Sequence, residues 1–395
     1  MSVNNYLSNF ISSITLPIRL LILMVVILLS KAFSGSNKVR NPVVFLFGVS
    51  RVWRGITNPM FFLKDAVKYL VIRSGRGIEE DSQIPDNCSL INISTTFLVK
   101  DFQLINILLR TEGNSAELYF HTKIYDVFVY AICCRAIGIN LIGVCTGAEI
   151  LHYGNRSLVF RVLAKWSLRL CSKVVYKEPY MPTIIEKFSL VKHQNLISVK
   201  NGVFDRGLDV DKKKKNQILF LNSFKKWRNI DVSIHAIKLV KKSGVNIRFD
   251  FIGARDLEEY RYAQSFALEH DVFEEVGIHY FSNDVNSWYK KSSIFVLVAD
   301  HVYANNSLLE AMAAGCVPIV SDVSLASEIV LDGVNGFVVP LGDYAALADR
   351  LKRLVTEDNL ASQMAVAARA HVLKNFSESD RAIQMGLAHG IHNAN

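Results

Sequence analysis

Residues 294–340 read IFVLVADHVYANNSLLEAMAAGCVPIVSDVSLASEIVLDGVNGFVVP. The run 294–298 is apolar without interruption, which predicts a strand buried on both faces, since a half-buried strand would alternate. A polar loop follows. Asn306 and Ser307 then open a helical pattern through Leu308, Leu309, Glu310, Ala311 and Met312. Runs 317–320 and 337–339 are again short and apolar. Strand, loop, helix, strand is the unit that builds a parallel sheet covered by helices.

The same alternation extends in both directions. Upstream, apolar runs fall at 43–47, 68–72, 90–93, 118–120, 141–145, 174–176 and 197–199. A polar, basic stretch at 205–216 contains Lys212, Lys213, Lys214 and Lys215. Runs then resume at 218–221, 247–252 and 278–281. Helical patterns lie between them at 231–242, 284–291, 307–314, 343–356 and 359–373, with Asp231 and Asp343 suited to N-caps. Two such sets around a charged linker predict an α/β protein of two doubly wound Rossmann-like domains facing a cleft. The expected boundaries are 1–39 for a hydrophobic leader, 40–204 for the first domain, 205–216 for the linker and 217–373 for the second domain. Residues 374–395 are expected to cross back to the first.

The chain has 395 residues, half of them hydrophobic, and Lys+Arg exceed Asp+Glu by 45 to 36. This excludes a disordered chain and favours an anionic partner such as a membrane surface or a phosphorylated ligand. No G-x-G-x-x-G follows the first strand and no G-x-x-x-x-G-K-[ST] occurs, so dinucleotide dehydrogenases and P-loop enzymes drop out. Lys212 to Lys215 have no interleaved aromatics, which argues against nucleic acid. The six cysteines fit no metal spacing and read as core residues; Asp209-Val210-Asp211 copies a metal-binding D-x-D but sits beside those four lysines. No metal is expected.

Residues 1–30 hold one charge, Arg19, and residues 20–29 are wholly apolar. Ten residues make ~15 Å of helix, half of a ~30 Å bilayer core. A membrane-anchoring helix, a cleaved signal peptide and a buried helix compete, and the first is preferred. Lys31, Lys38, Arg40, Arg51 and Arg54 follow it, which places the rest of the chain on the cytoplasmic face of the inner membrane.

The first amides of the helix after the 294–298 strand have no internal partner and suit a phosphate. Glu310, read as lying on its first turn, can accept hydrogen bonds from vicinal hydroxyls, or else complement the helix dipole. At this point the sequence resembles the retaining glycosyltransferases of the GT-B fold, family four (glycosyl transferases group one). The likeness runs without gaps over 294–340 through Asn306-Ser307-Leu308-Leu309-Glu310-Ala311-Met312-Ala313-Ala314-Gly315, Val317-Pro318-Ile319-Val320-Ser321-Asp322 and Asp332-Gly333-Val334-Asn335-Gly336. Weaker likeness covers 40–380, including Asn201-Gly202-Val203 and Cys145-Thr146-Gly147-Ala148-Glu149.

The resemblance implies a nucleotide-diphosphate-sugar donor, with UDP or GDP undecided, and no cofactor. Glu310 would bind the ribose, and the amides of Asn306, Ser307 and Leu308 the diphosphate. Two basic positions after the strand ending at Leu221 fall on Ser223 and Arg228; Lys225 or Lys226 is placed to replace the first. Gly253 would lie near the base, and Gly48 would approach the phosphates from the other domain. His121 is a candidate for the cleft. The family's paired glutamates would fall at Val302 and Glu310, with Asp300 as the nearby substitute, and its cleft histidine falls on Thr146. The acceptor implied is a lipid-linked glycan or polysaccharide, in cell-surface polysaccharide or lipopolysaccharide synthesis. The changes at Thr146, Ser223 and Val302 fit an unusual donor sugar or a degenerate GT-B protein that binds without turnover, and a GT-B sugar epimerase is a further alternative.

Overall fold

The computed structural model describes residues 43–47, 68–74, 88–93, 115–120, 124–145, 153–178, 180–192, 195–205, 214–282, 284–302, 305–323, 326–357 and 359–390. Contacts divide the chain into two units, 1–200 with 379–395, and 201–378. The expected N-terminal helix, Gly48, His121, the 146–149 loop and Asp209 to Asp211 lie outside the described residues. Among the described residues, no helix is long and apolar enough to cross a membrane.

Among the described residues, the first unit holds seven parallel strands: β1 (Val43–Phe47), β2 (Lys68–Ser74), β3 (Cys88–Ile93), β4 (Ser115–Tyr119), β5 (Asn140–Cys145), β6 (Lys173–Tyr176) and β7 (Leu196–Ser198). Their order is β3-β2-β1-β4-β5-β6-β7. Helices α1 (Ile124–Ile137), α2 (Leu158–Leu170) and α3 (Met181–Lys187) connect the later strands. Leu118, Val127, Leu141 and Leu168 are fully or almost fully buried in this unit's main core.

The second unit repeats the plan, with six strands among the described residues. These are β8 (Lys214–Leu221), β9 (Arg248–Ala254), β10 (Val276–Tyr280), β11 (Ser292–Leu297), β12 (Val317–Ser321) and β13 (Phe337–Val339). They run in the order β10-β9-β8-β11-β12-β13, with every pairing parallel. Its helices are α4 (Ile230–Lys242), α5 (Leu257–Glu269), α6 (Val285–Lys291), α7 (Asn306–Ala313), α8 (Ala326–Ile329), α9 (Tyr344–Thr356) and α10 (Leu360–Asn375). All six residues of β11 and all five of β12 are buried, including Ser292, Ser293 and Ser321, as strands covered on both faces by helices must be. Strand β8 begins at Lys214, inside the stretch expected as linker.

Helix starts follow local chemistry. Asp256, Asp284 and Asp343 each accept a hydrogen bond from the backbone N–H three residues on, contributing about 1 kcal/mol apiece. Asp231 is not the expected cap. Helix α4 begins one residue earlier, at Ile230, and Asn229 precedes it in the left-handed region (φ 51°), which Asn tolerates.

At the two chain crossings the second unit ties itself shut. Val203 donates to the Phe376 carbonyl (2.8 Å), and the Glu378 amide donates to Val203 O (3.2 Å). A Cβ on Gly202 would lie 2.6 Å from Glu378 Cα, so only glycine fits. The last helix, α11 (Glu378–Ala388), then joins the first unit. Met385 and Ala388 pack on Ile142 and Val175, and buried His389 bridges Ser115 to Glu117 Oε1 (2.8 Å).

Candidate active site

In the second unit, β8 and β11 are hydrogen-bonded neighbours, while β9 and β12 leave in opposite directions from them. The switch point therefore lies between their carboxyl ends, where such sheets leave a crevice. The turn after β8 carries Arg228, and the helix after β11 carries Glu310.

The turn is held by backbone contacts. Gly253 (φ 133°) passes so close to it that a Cβ would sit 2.1 Å from the Asn222 carbonyl oxygen. The Asn222 amide donates to Ile252 O (3.0 Å), and its carboxamide oxygen accepts from the Ser223 amide (3.0 Å). Gly253 is thus required by the approach of two strand ends. Residues Lys226–Arg228 form a single 3-10 turn. Arg228 is 6% exposed, stacks on Trp227 (4.0 Å to the ring centroid) and donates from Nη1 to His301 O (3.4 Å). Lys226 is exposed, while Lys225 reaches 2.8 Å from Glu259 Oε1. Burial works to raise the Glu259 pKa, but the hydrogen bonds from Lys225 and the Arg255 amide hold it below the usual range.

The loop after β11 is fastened to the same turn. The Asp300 amide donates to Trp227 O (3.0 Å), and Asp300 Oδ1 accepts from Asn229 Nδ2 (2.8 Å). The carboxamide of Asn229 therefore serves this bridge and makes no capping bond to α4. Val302, at the position of the expected first glutamate, is fully buried in the hydrophobic core.

Helix α7 opens at Asn306, as expected. Asn305 is the N-cap, and its side-chain oxygen accepts from the amides of Ser307 (2.9 Å) and Leu308 (3.3 Å). Two of the three amides assigned to a diphosphate are thus engaged by Asn305 here. The carboxamide oxygen of Asn306 is buried without a hydrogen-bond partner. With Asn306 as the first helical residue, Glu310 is the fifth. It lies on the second turn, not the first, where dipole complementarity has faded. Instead the hydroxyl of Tyr289, a fully buried residue of α6, donates to Glu310 Oε2 (3.1 Å). Burial and the adjacent Glu310 carboxylate push the Tyr289 phenol well above its ordinary pKa, against a smaller opposing effect from a Ser307 hydrogen bond. The phenol stays a donor at any working pH.

Tyr289 and Asn305 were not singled out in the sequence. Asn305 carried a findable signal, an Asx residue ahead of the helical run. Tyr289 carried none, because its meeting with Glu310 is tertiary. Among the described residues, no group of three or more His, Cys, Asp or Glu is placed to hold a metal ion.

Residues 208–371 match the family described as Glycosyl transferases group 1. The match covers most of the second unit. Capsular polysaccharide biosynthesis glycosyltransferase CapM of Staphylococcus aureus is 25% identical over 152 residues, covering 38% of this chain and 40% of its own. Phosphatidyl-myo-inositol mannosyltransferase of Mycobacterium leprae is 30% identical over 172 residues, covering 42% and 44%. The chain therefore spans less than half the length of these relatives, and the likeness centres on the group 1 domain. Solved structures extend it to the fold of nearly the whole chain. Sucrose-phosphate synthase from Thermosynechococcus elongatus superposes with a TM-score of 0.72 at 14% identity, covering 89% of this chain and 98% of that one. HepE from Anabaena, solved in complex with UDP and glucose, gives 0.70 at 14% identity over 89% and 100%. The fold is GT-B.

Proposed function

We propose that the protein is a glycosyltransferase that moves a sugar from a nucleotide-diphosphate sugar to a lipid-linked glycan or polysaccharide acceptor. The reaction belongs to cell-surface polysaccharide or lipopolysaccharide synthesis, proceeds with retention of configuration and needs no metal or cofactor. One observation carries this reading. Adjacent parallel strands β8 and β11 bring Arg228 and Glu310 to the same end of one sheet, the end where the fold binds ligands.

The roles follow from the chemistry. Departure of the nucleotide diphosphate develops negative charge on phosphate oxygens. Arg228 and the first amides of α7 supply fixed positive dipoles and charge there, each such donor being worth roughly 3 kcal/mol. The Asn305 side chain must rotate away to release the Ser307 and Leu308 amides for this use. Glu310, oriented by Tyr289, accepts the ribose hydroxyls. Lys226 and Ser223 border the same turn, Gly253 lies at its base and Asp300 holds it to the next loop. Gly48 and His121 remain assigned to the first unit's side of the reaction, and the 20–29 apolar segment to anchoring at the cytoplasmic face of the inner membrane. CapM and HepE support the reading by what their names and ligands state of those proteins.

The test is thermal stabilisation of the purified full-length chain by UDP, GDP and their sugar conjugates, with Glu310→Ala alongside. A nucleotide at a hundred times its dissociation constant adds about 2.7 kcal/mol of stability. A shift with one nucleotide that disappears in Glu310→Ala is expected and names the base. No shift with any of them would overturn the donor-site assignment and favour a protein that binds a partner without turnover.

A further inference from the structure

Helix α2 presents two apolar faces. Leu163, Ala164, Ser167 and Leu168 are buried, as an amphipathic helix on a domain surface requires. The outer face should then be polar. Instead Leu158 (68% exposed), Val159 (49%), Val162 (45%) and Trp166 (54%) stand in solvent. Leu158, Val162 and Trp166 are spaced four apart and line up as one stripe, with Val159 beside it.

The charges on the helix itself have a single sign. Helix α2 carries Arg161, Lys165 and Arg169, Arg156 lies just ahead of it, and the helix has no carboxylate. Arg169 lies 5.9 Å from the Trp166 ring centroid, and its Nη2 donates to Ser189 O (3.2 Å). Lys165 Nζ donates to Phe188 O (3.2 Å) on the same flank. Helix α5 of the second unit offers a contrast. Leu257, Tyr262 and Leu268 are just as exposed there, but Glu258, Glu259 and Glu269 outnumber Arg261.

We propose that α2 is a membrane-docking helix that lies in the plane of a bilayer bearing anionic headgroups. Its 13 residues make ~20 Å of helix, too short to span a bilayer core but suited to lying flat in its interface. The exposed aliphatic stripe enters the acyl boundary, Trp166 sits at headgroup level, and the flanking arginines and lysine meet the phosphates. The match is one of charge as well as apolarity, which is why α2 and not α5 is chosen. The inference is separate from the apolar segment at 20–29 and does not depend on the transferase assignment.

The test uses the full-length chain with phosphatidylcholine vesicles, with and without phosphatidylglycerol, some carrying brominated acyl chains. Because the 20–29 segment can itself bind lipid, the readout is local: quenching of tryptophan emission by bromine, compared with Trp166→Phe. A quenchable component that appears only with phosphatidylglycerol and vanishes in Trp166→Phe is expected. Combining Arg161→Gln, Lys165→Gln and Arg169→Gln should reduce the vesicle affinity of that component on the order of a hundredfold, at about fivefold per basic residue. Leu158→Ser with Val162→Ser, exposed and therefore tolerated by the fold, should abolish it, while Tyr262→Ser on α5 should not change it. Three outcomes would overturn the proposal. The protein binds vesicles with Trp166 unquenched; it binds no vesicles at all; or Leu158→Ser with Val162→Ser turns a dimer into a monomer, which would make the stripe an interface between copies.

Discussion

Tyr289→Phe removes one oxygen from a side chain with no solvent exposure. The ring stays, so packing hardly changes. What is lost is the 3.1 Å hydrogen bond to Glu310 Oε2, together with the hydrogen bond between the phenol and Ser307. A bond to a charged group contributes about 1.5–3 kcal/mol, or roughly 10- to 150-fold in an equilibrium constant. That energy divides between two measurements. The part present with and without nucleotide appears as folding stability. The part that depends on Glu310 being held at one angle appears as donor affinity. Glu310 sits on a rigid helix, so Tyr289→Phe should weaken nucleotide binding toward the lower end of the range, about tenfold, and lower stability by the remainder. Titration calorimetry on the wild type, Tyr289→Phe, Glu310→Ala and the double variant gives both quantities through a double-mutant cycle. The two affinity losses should be far from additive, because Tyr289 acts through Glu310. Since the Tyr289 pKa is raised in the folded state, its contribution is present below pH 10 and is lost only as pH rises beyond that. Additive losses, or Glu310→Ala binding nucleotide as tightly as wild type, would refute the reasoning.

Gly253→Ala places a Cβ 2.1 Å from the Asn222 carbonyl oxygen at a backbone angle that side chains rarely adopt, so the turn carrying Arg228 must shift. A loss of about 2–5 kcal/mol in denaturant unfolding is expected, and an unchanged midpoint would contradict the close approach. Val302→Glu, which restores the residue the resemblance expects, puts a carboxylate into the apolar core and should lower the melting temperature without creating activity, whereas a stable and active variant would show that the loop turns outward. Asp250 is buried on β9; burial works to raise its pKa, but the hydrogen bond from His279 and the charge of Lys291 hold it lower. Its contribution is therefore present above pH ~4 and lost as pH falls further, so wild type should lose melting temperature in acid more steeply than Asp250→Asn, and parallel curves would remove the ion cluster from the account.

The fold was legible because a parallel sheet writes itself into sequence as short apolar runs, and each expected run coincides with part of a strand. Boundaries were less legible. β8 starts with Lys214 and Lys215, since a strand can begin in residues that propensity assigns to a linker. The cap of α4 was misplaced by its neighbour: Asp231 looked adequate, but Asn229 occupies the position before the helix. At the site, the resemblance named Arg228 and Glu310 as candidates. It could not supply the contacts that aim them, because Tyr289 reaches Glu310 from α6 and Asn229 reaches Asp300 across two loops. Those contacts depend on tertiary placement and leave no periodicity to read.

The departures from the family pattern fall unevenly over the site. Arg228 and Glu310, the groups that would hold the diphosphate and ribose, are present and supported by Trp227, His301 and Tyr289. Of the changed positions, Val302 was expected toward the transferred sugar, whereas Ser223 stands where the resemblance expects a basic residue paired with Arg228. Val302 has turned into the core, and the nearby carboxylate of Asp300 is spent on Asn229, where it holds the two loops together. Random decay would be expected to strike a buried arginine and a half-buried glutamate as readily as a loop residue, because each buried charge costs free energy to keep. Retention of Arg228 and Glu310 beside changes at Val302 and Ser223 is consistent with altered donor recognition, and it supports the proposal of catalysis over a degenerate binding protein.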